Sequence, residues 1–305
     1  MKRVLLTGAS GFVGRHCPAM LAARGYEVHA VSSRARAAGG GVEAWHECDL
    51  LRPGAPAELA ERVRPTHLLH LAWEATPGKF WTAPENLDWT RASMELLGGF
   101  ARAGGRRVVA AGTCAEYDWA GDGLCSESST RLAPATLYGV CKNALREVLE
   151  AYARRSGLSA AWGRLFFLYG PHEYPERFVP SVVRGLLRGE RVPCSHGAQV
   201  RDFLHAEDAA SAFVALLESG AEGAFNVASG EAVALREVVR LVSEHLGAHG
   251  LVDFGALPAP PGEPAVLAAD TRRLRAEAGW SPRRGLAEGL AQTAEWWRAR
   301  EGGAG

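Results

Sequence analysis

Short apolar runs alternate with longer segments of helical periodicity through the first half of the chain. Arg3–Thr7, Glu27–Val31, Val42–Glu47, His67–Leu71, Arg107–Gly112 and Ser159–Phe167 predict strands. Phe12–Arg24, Ala57–Val63, Glu85–Ala103 and Leu137–Ser156 predict helices, the last stopped by Gly157 as a C-cap would stop it. Strand, helix, strand repeated in this way means parallel strands joined by right-handed crossovers, hence an α/β fold with a doubly wound sheet. After Phe167 the pattern loosens. Pro171, Pro175, Pro180 and Pro193 punctuate short segments, Pro258–Pro264 predicts a stiff loop, and Leu286–Arg300 predicts a last helix, while Gly302–Gly305 is expected to fray. A smaller mixed unit follows the sheet.

Where the first strand should end and the first helix begin stands Gly8-Ala9-Ser10-Gly11-Phe12-Val13-Gly14. In that context one glycine permits the tight turn, one lets a pyrophosphate approach backbone N–H groups, and one allows close helix–strand packing. The helix N-terminus then presents its positive dipole end to the phosphates. A turn that only packs is the alternative. At the end of the second strand a carboxylate would hold a ribose 2′-OH and repel a 2′-phosphate, but the chain reads Val31-Ser32-Ser33-Arg34. Two hydroxyls and a guanidinium, with Arg36 nearby, favour NADP(H) over NAD(H), NAD(H) remaining possible; the alternative is that both arginines are solvated loop charges. Asp49, after the third strand, is placed either to accept from an adenine amino group or to cap the next helix.

Tyr138 and Lys142 are four residues apart on a predicted helix and so project from one face. A phenol titrates near 10 unaided; a neighbouring ammonium is expected to lower that by stabilising phenolate, which makes the pair a usable proton donor and acceptor. Thr113 closes the fifth strand at the carboxyl edge of the sheet, where open α/β sheets bind ligands, and its hydroxyl can hold a carbonyl oxygen beside Tyr138. A plain strand-end cap is its alternative role. His70 is expected to be a buried structural histidine or a wall of the same site, and Trp73, Phe80, Trp81 and Trp89 form an aromatic segment that either walls a substrate pocket or fills a patch under a loop.

Composition narrows the classes. The 305 residues carry 34 Lys and Arg against 34 Asp and Glu, so no net positive field is available to hold a nucleic acid. Gly 36 and Pro 16 fall short of the roughly 25–30% that marks a low-complexity polymer. No apolar run approaches the roughly 18–20 residues of a membrane span, and Val4-Leu5-Leu6 is too short for a secretory core, which predicts a cytoplasmic protein without a membrane partner. The six cysteines lack any C-x-x-C pair, so neither a metal site nor a disulfide framework is expected.

With the glycine loop, Thr113, Tyr138 and Lys142 in order, the chain resembles the extended short-chain dehydrogenase/reductase family, also called the NAD-dependent epimerase/dehydratase family. Arg164-Leu165-Phe166, Leu168–Pro171, Arg201–Asp208, Phe225–Gly230 and Gly279–Pro282 are similar to that family's later landmarks. The resemblance implies a Rossmann domain over residues 1–165, with 201–230 returning to it, and a smaller substrate domain from 166–200 and 231–305. It implies Tyr138 as acid–base catalyst, Lys142 on the nicotinamide ribose and Thr113 on the substrate oxygen. The cofactor set it implies is Gly8, Ser10, Gly11, Phe12, Val13, Gly14, Ser32, Ser33, Arg34, Asp49, Leu50, Leu71, Ala72 and Leu165, together with Tyr138 and Lys142. The substrate set is Trp73, Phe167 and Arg201 with Thr113 and Tyr138; Arg201 would meet a diphosphate, or else pair with Asp202 or Glu207. A nucleotide-sugar substrate and a homodimer through the helices matching Glu85–Ala103 and Leu137–Ser156 are implied likewise.

Family dehydratases place Asp-Glu directly after the Thr, and decarboxylating members a Glu at the second position; this chain has Cys114-Ala115, with Glu116 one place out of register. What remains is reduction of a keto-sugar or a redox epimerisation, and the Ser32-Ser33-Arg34 tip tilts the balance to NADPH-dependent reduction of a 4-keto-6-deoxysugar linked to a nucleoside diphosphate. The alternatives are a redox epimerase that keeps NAD, a reductase of a non-sugar carbonyl compound, and a silent dinucleotide sensor, the last disfavoured because both Tyr138 and Lys142 are kept. Two departures stand out. Phe167 occupies a position where many members have Asn, and the second diphosphate arginine expected before Asp270 is missing from Pro258–Pro264.

Overall fold

The computed structural model describes residues 2–121, 123–259 and 262–301; Gly302–Gly305 and part of the Pro258–Pro264 loop lie outside them. Seven parallel strands form the central sheet: β1 (Lys2–Thr7), β2 (Tyr26–Ser32), β3 (Ala44–Glu47), β4 (His67–His70), β5 (Arg107–Thr113), β6 (Ser159–Leu165) and β7 (Gly223–Val227). Their spatial order is β7-β6-β5-β4-β1-β2-β3. The order reverses between β1 and β4, which opens a crevice at their carboxyl ends, the place where such sheets bind ligands.

Alternation along each strand builds the two core layers. Val4, Leu6, Leu69, Val109 and Ala111 face one layer with α1 (Cys17–Ala22) and the helix Ala206–Glu218. Leu5, Leu68, Val108 and Ala110 face the other, with α2 (Ala55–Val63), α3 (Glu85–Arg102) and α4 (Leu137–Ser156). Near-continuous apolar strands are what a parallel sheet covered on both faces requires. The structure is thus the doubly wound, Rossmann-like α/β fold that the alternation predicts.

Two elements differ from the expectation. The helix expected over Phe12–Arg24 is a 3₁₀ turn, Gly14–His16, followed by the short α1. Pro18, which has no N–H to give the Gly14 carbonyl, sits in the first turn of α1 and forces the break. The strand expected over Ser159–Phe167 ends at Leu165, and Phe167–Tyr169 starts a new strand paired with Val200–His205 in a second sheet. Phe166 is where the chain leaves one sheet for the other, a change that a continuous apolar run hides. The second sheet also holds Ala232–Ala234, Val266–Ala269 and Leu124–Cys125. Beside it Phe178–Leu187, Leu235–Leu246 and Leu286–Glu301 pack into a third core around Val183, Val239, Leu290 and Trp297.

Candidate functional site

The glycine loop closes on itself at the head of the crevice. Gly8 takes a left-handed φ of +71°, and a Cβ there would lie 2.7 Å from the Ala72 amide nitrogen, at the end of β4. A Cβ on Gly14 would run into the Gly8 carbonyl. Gly11 spends its N–H on the Gly8 carbonyl (2.9 Å) and stays exposed. Gly8 and Gly14 are therefore glycines for packing, and Gly11 is the one an incoming group meets. Ser10, Phe12 and Val13 are half-buried around it, and Arg15 folds back to donate to the Ser10 and Gly11 carbonyls. Ala72 N–H donates to the Thr7 hydroxyl (3.3 Å) and Leu71 N–H to the Thr7 carbonyl, tying the ends of β1 and β4 together.

At the tip of β2 the buried Ser32 hydroxyl accepts from the Arg34 amide and from Arg36 Nε, both at 3.2 Å. Arg36, whose guanidinium lies over Trp45, is thus the side chain that folds onto the tip. Arg15 is held below the usual arginine range by burial first, then by the charges of Arg36 and Arg300, so basic groups converge between loop and tip. Ser33 and Asp49 line a cavity of about 240 Å³ with Glu47, Arg52, Leu59 and Arg62. Asp49 accepts the Leu51 N–H at 3.0 Å, and Leu50 is buried against the sheet.

Across the crevice, β5 and α4 bring Thr113, Tyr138 and Lys142 together. The Tyr138 ring lies edge-on to Phe80 (5.0 Å), Trp81 (5.8 Å) and Trp73 (6.4 Å). Burial pushes the phenol above the ordinary tyrosine range, while a hydrogen bond to Thr113 and the Arg177 charge pull it down. The lowering expected from Lys142 is not the outcome. The Lys142 ammonium instead donates to the Ala111 carbonyl (2.8 Å) and sits 3.8 Å from the centre of the Trp73 ring. Burial pushes that amine down to about 7, against the pull of Glu116. A four-residue spacing fixes the shared face, but desolvation decides which way the phenol shifts.

Sequence reading missed the residue that sets Thr113. Glu116 is fully buried and accepts from the Thr113 amide (2.9 Å), Trp162 Nε1 (2.9 Å) and Arg164 Nε (2.7 Å). The Thr113 hydroxyl accepts from the Ala115 amide in return. Thr113-x-x-Glu116 is a capping box, and that spacing was the available signal. Arg164 also donates to the Tyr117 hydroxyl (3.0 Å), which donates to Asn226 Oδ1 (2.8 Å). Burial raises the Cys114 thiol above its usual range, so the two positions after Thr113 hold a neutral thiol and a methyl group. His70 is buried between the Thr7 hydroxyl (2.7 Å) and the Ser93 hydroxyl (2.8 Å), and burial takes it down to about 3, a neutral structural histidine.

The aromatic segment forms a wall of this site: Trp81 meets Trp119 edge-on, and Trp119 lines a cavity of about 280 Å³ with Ala115, Tyr117, Ala133, Thr136 and Gly262. Phe167 and Arg201 stand on the second sheet, Phe167 packed against the cluster that holds Cys114. The buried Arg201 guanidinium pairs with Glu263 (2.9 Å) and lies over the Phe167 ring. The partners considered from sequence are engaged elsewhere: Asp202 accepts from Ser229 and Gly230, and Glu207 pairs with Arg284. Leu165 closes β6 beside Thr113, its register partner in β5. A further carboxyl, Glu173, is buried with one unpartnered oxygen; burial raises it to about 8, opposed by the Arg177 charge. Arg177 donates to the Ala75 carbonyl and covers Phe80, which links that segment to the wall around Tyr138.

A parallel sheet with a glycine loop at its switch point, and a phenol, a buried hydroxyl and a buried amine at the ends of its central elements, defines a Rossmann-like α/β protein. The model of the NAD dependent epimerase/dehydratase family matches residues 4–228, and the chain belongs to that family. It is 27% identical over 312 residues to UDP-glucuronic acid decarboxylase 1 of Xenopus tropicalis, covering 97% of this chain and 72% of that one. Among solved structures, the Thermus thermophilus UDP-glucose 4-epimerase in complex with NAD superposes with a TM-score of 0.84 at 28% identity, over 97% of this chain and 99% of that chain. MoeE5 in complex with UDP-glucuronic acid and NAD gives 0.83 at 31% identity, over 98% and 99%.

Proposed function

We propose that the protein reduces the 4-keto group of a nucleoside-diphosphate 4-keto-6-deoxysugar with NADPH, with Tyr138 giving the proton to the carbonyl oxygen. The observation that carries this reading is the chemistry of the turn after β5. Elimination and decarboxylation need further acid–base groups beside the Thr, but here the adjacent positions are the protonated Cys114 and Ala115, and Glu116 is spent on Thr113, Trp162 and Arg164. Tyr138 remains as the proton source, with Thr113 to orient the oxygen.

The crevice fits a dinucleotide: Gly8 and Gly14 bring backbone so close that no side chain could stand there, and Gly11 leaves the approach open. Ser10, Gly11, Phe12 and Val13 would hold the pyrophosphate, Leu71, Ala72 and Leu165 the floor, and Ser33, Asp49 and Leu50 the adenosine. When bound, the dinucleotide supplies hydride to the carbonyl carbon. Lys142 holds the ribose hydroxyls, Thr113 positions the substrate oxygen, and Trp73 and Trp81 shield the proton on Tyr138 from water. Arg36 folded onto the hydroxylic tip Ser32-Ser33-Arg34 supports a 2′-phosphate and therefore NADP(H). Arg201 would meet the substrate diphosphate by exchanging its Glu263 contact. Leu87 and Met94 on α3 and Val140 and Val148 on α4 are exposed apolar groups, which supports a homodimer through those helices. Among the described residues no helix is long and apolar enough to cross a membrane.

A second reading, a redox epimerase that retains NAD, is favoured by the likeness to the Thermus thermophilus epimerase in complex with NAD. The two separate on one assay. Purified protein mixed with NADPH and a dTDP- or CDP-4-keto-6-deoxyhexose should consume cofactor, and Tyr138→Phe should lower the rate by about 10²–10⁴-fold. No consumption, together with NAD carried through purification, would establish the epimerase instead.

A further inference from the structure

Lys142 is a buried cation with little conventional compensation. Among the described residues its ammonium gives one hydrogen bond, to the Ala111 carbonyl, and the second aromatic face near it, Trp162, is 5.9 Å away. The groups facing it are few. Tyr138 shares its helix, His70 at the end of β4 is a neutral imidazole, and Glu116, in the turn after β5, is the carboxylate acting on it. That carboxylate is already shared among the Thr113 amide, Trp162 and Arg164, with Arg146 at 3.9 Å. The Trp73 ring, 3.8 Å from Nζ, is the strongest uncommitted negative potential in contact with the ammonium.

Trp73 is held in that place. Its indole N–H donates to Asn86 Oδ1 (2.8 Å) and its ring stacks on Trp89 at 6.2 Å. Asn86 is fully buried, and its amide nitrogen is spent on the carbonyls of Phe80 (2.7 Å) and Ala83 (2.8 Å). Both of its donors are thus taken by carbonyls, which orients its oxygen to accept from the indole.

We propose that Trp73 is a positioning residue of the Tyr138–Lys142 pair: its indole face, locked by Asn86 and Trp89, keeps the buried Lys142 amine charged and in place. This rests on the role given to that pair above. The consequence has a definite sign. Removing the ring's face withdraws support from the charged form, so the amine should titrate lower than its present value of about 7. Simple loosening of the site would do the opposite, because water would return the amine toward the ordinary lysine range near 10.4.

The test is a pH titration of the full-length protein, without substrate or cofactor, carrying lysine labelled with ¹⁵N at Nζ. The Lys142 resonance is assigned by its loss in Lys142→Arg. Trp73→Leu should move the midpoint down by about one unit, and Trp73→Phe, which keeps a weaker ring face, by less. A midpoint in folded Trp73→Leu that stays put or rises overturns the proposal. Should Trp73→Leu not fold, Trp73→Phe decides: a lowered midpoint supports the role and an unchanged or raised one overturns it. Because no substrate is used, this result and the failure of the ketoreductase reading are separable.

Discussion

Two turns flank the Tyr138 wall, and each buries a glutamate among a different set of donors. After β5, Glu116 sits among an amide, an indole N–H and a guanidinium, a nearly complete set of donors for a carboxylate. After the Phe167–Tyr169 strand, Glu173 has an unpartnered oxygen and only the Gly170 amide and the Arg177 charge to favour its ionised form, so burial raises it to about 8. The difference teaches that burial alone does not set a carboxyl's behaviour; the donors the fold brings to it do. The first turn is a rigid support for Thr113, and the second holds a proton near neutrality.

The largest effect should come from breaking the satisfied side. Glu116→Ala strands the Arg164 guanidinium in the core and should cost about 3–5 kcal/mol in a denaturant unfolding experiment; a loss under about 1 kcal/mol would mean the network carries little. Next comes Glu173→Gln, with the opposite sign. A carboxyl raised in the folded state contributes its full stability below the unfolded value near 4.3 and loses it as pH rises through about 8. Glu173→Gln should therefore match the wild type near pH 4 and exceed it by about 2–4 kcal/mol at pH 9. A pH-independent difference between the two proteins would sink this assignment. The smallest effect is Tyr117→Phe, which removes the hydroxyl between Arg164 and Asn226 and should cost about 1–2 kcal/mol in thermal or chemical melts. Additive losses in the Glu116→Ala, Tyr117→Phe double variant would show that the two do not act as one network.

Much of the site was legible because its signals are local. The glycine spacing needs only the turn between β1 and α1, and the Tyr138–Lys142 spacing only a helix. The T-x-x-E box at Thr113 was equally local, yet Glu116 reads as a displaced catalytic acid until Arg164 and Trp162 are seen to close around it. Arg201 could be picked out, but not its partner: Glu263 lies 62 positions on, in a loop whose path follows no periodicity. Pro18, in the first turn of the short α1, stands in the sequence but did not enter the expectation of a helix over Phe12–Arg24.

By itself the sequence determined the fold class, the switch-point loop and the shared face of the phenol and the amine, because periodicity, turn chemistry and helical spacing act over a few residues. Only the tertiary structure decided that burial raises Tyr138, that the Trp73 ring lies against Lys142, and that Glu116 accepts from Thr113, Trp162 and Arg164. Those outcomes depend on how much water is removed and which distant groups replace it, and desolvation belongs to the packed molecule, not to any segment of its chain.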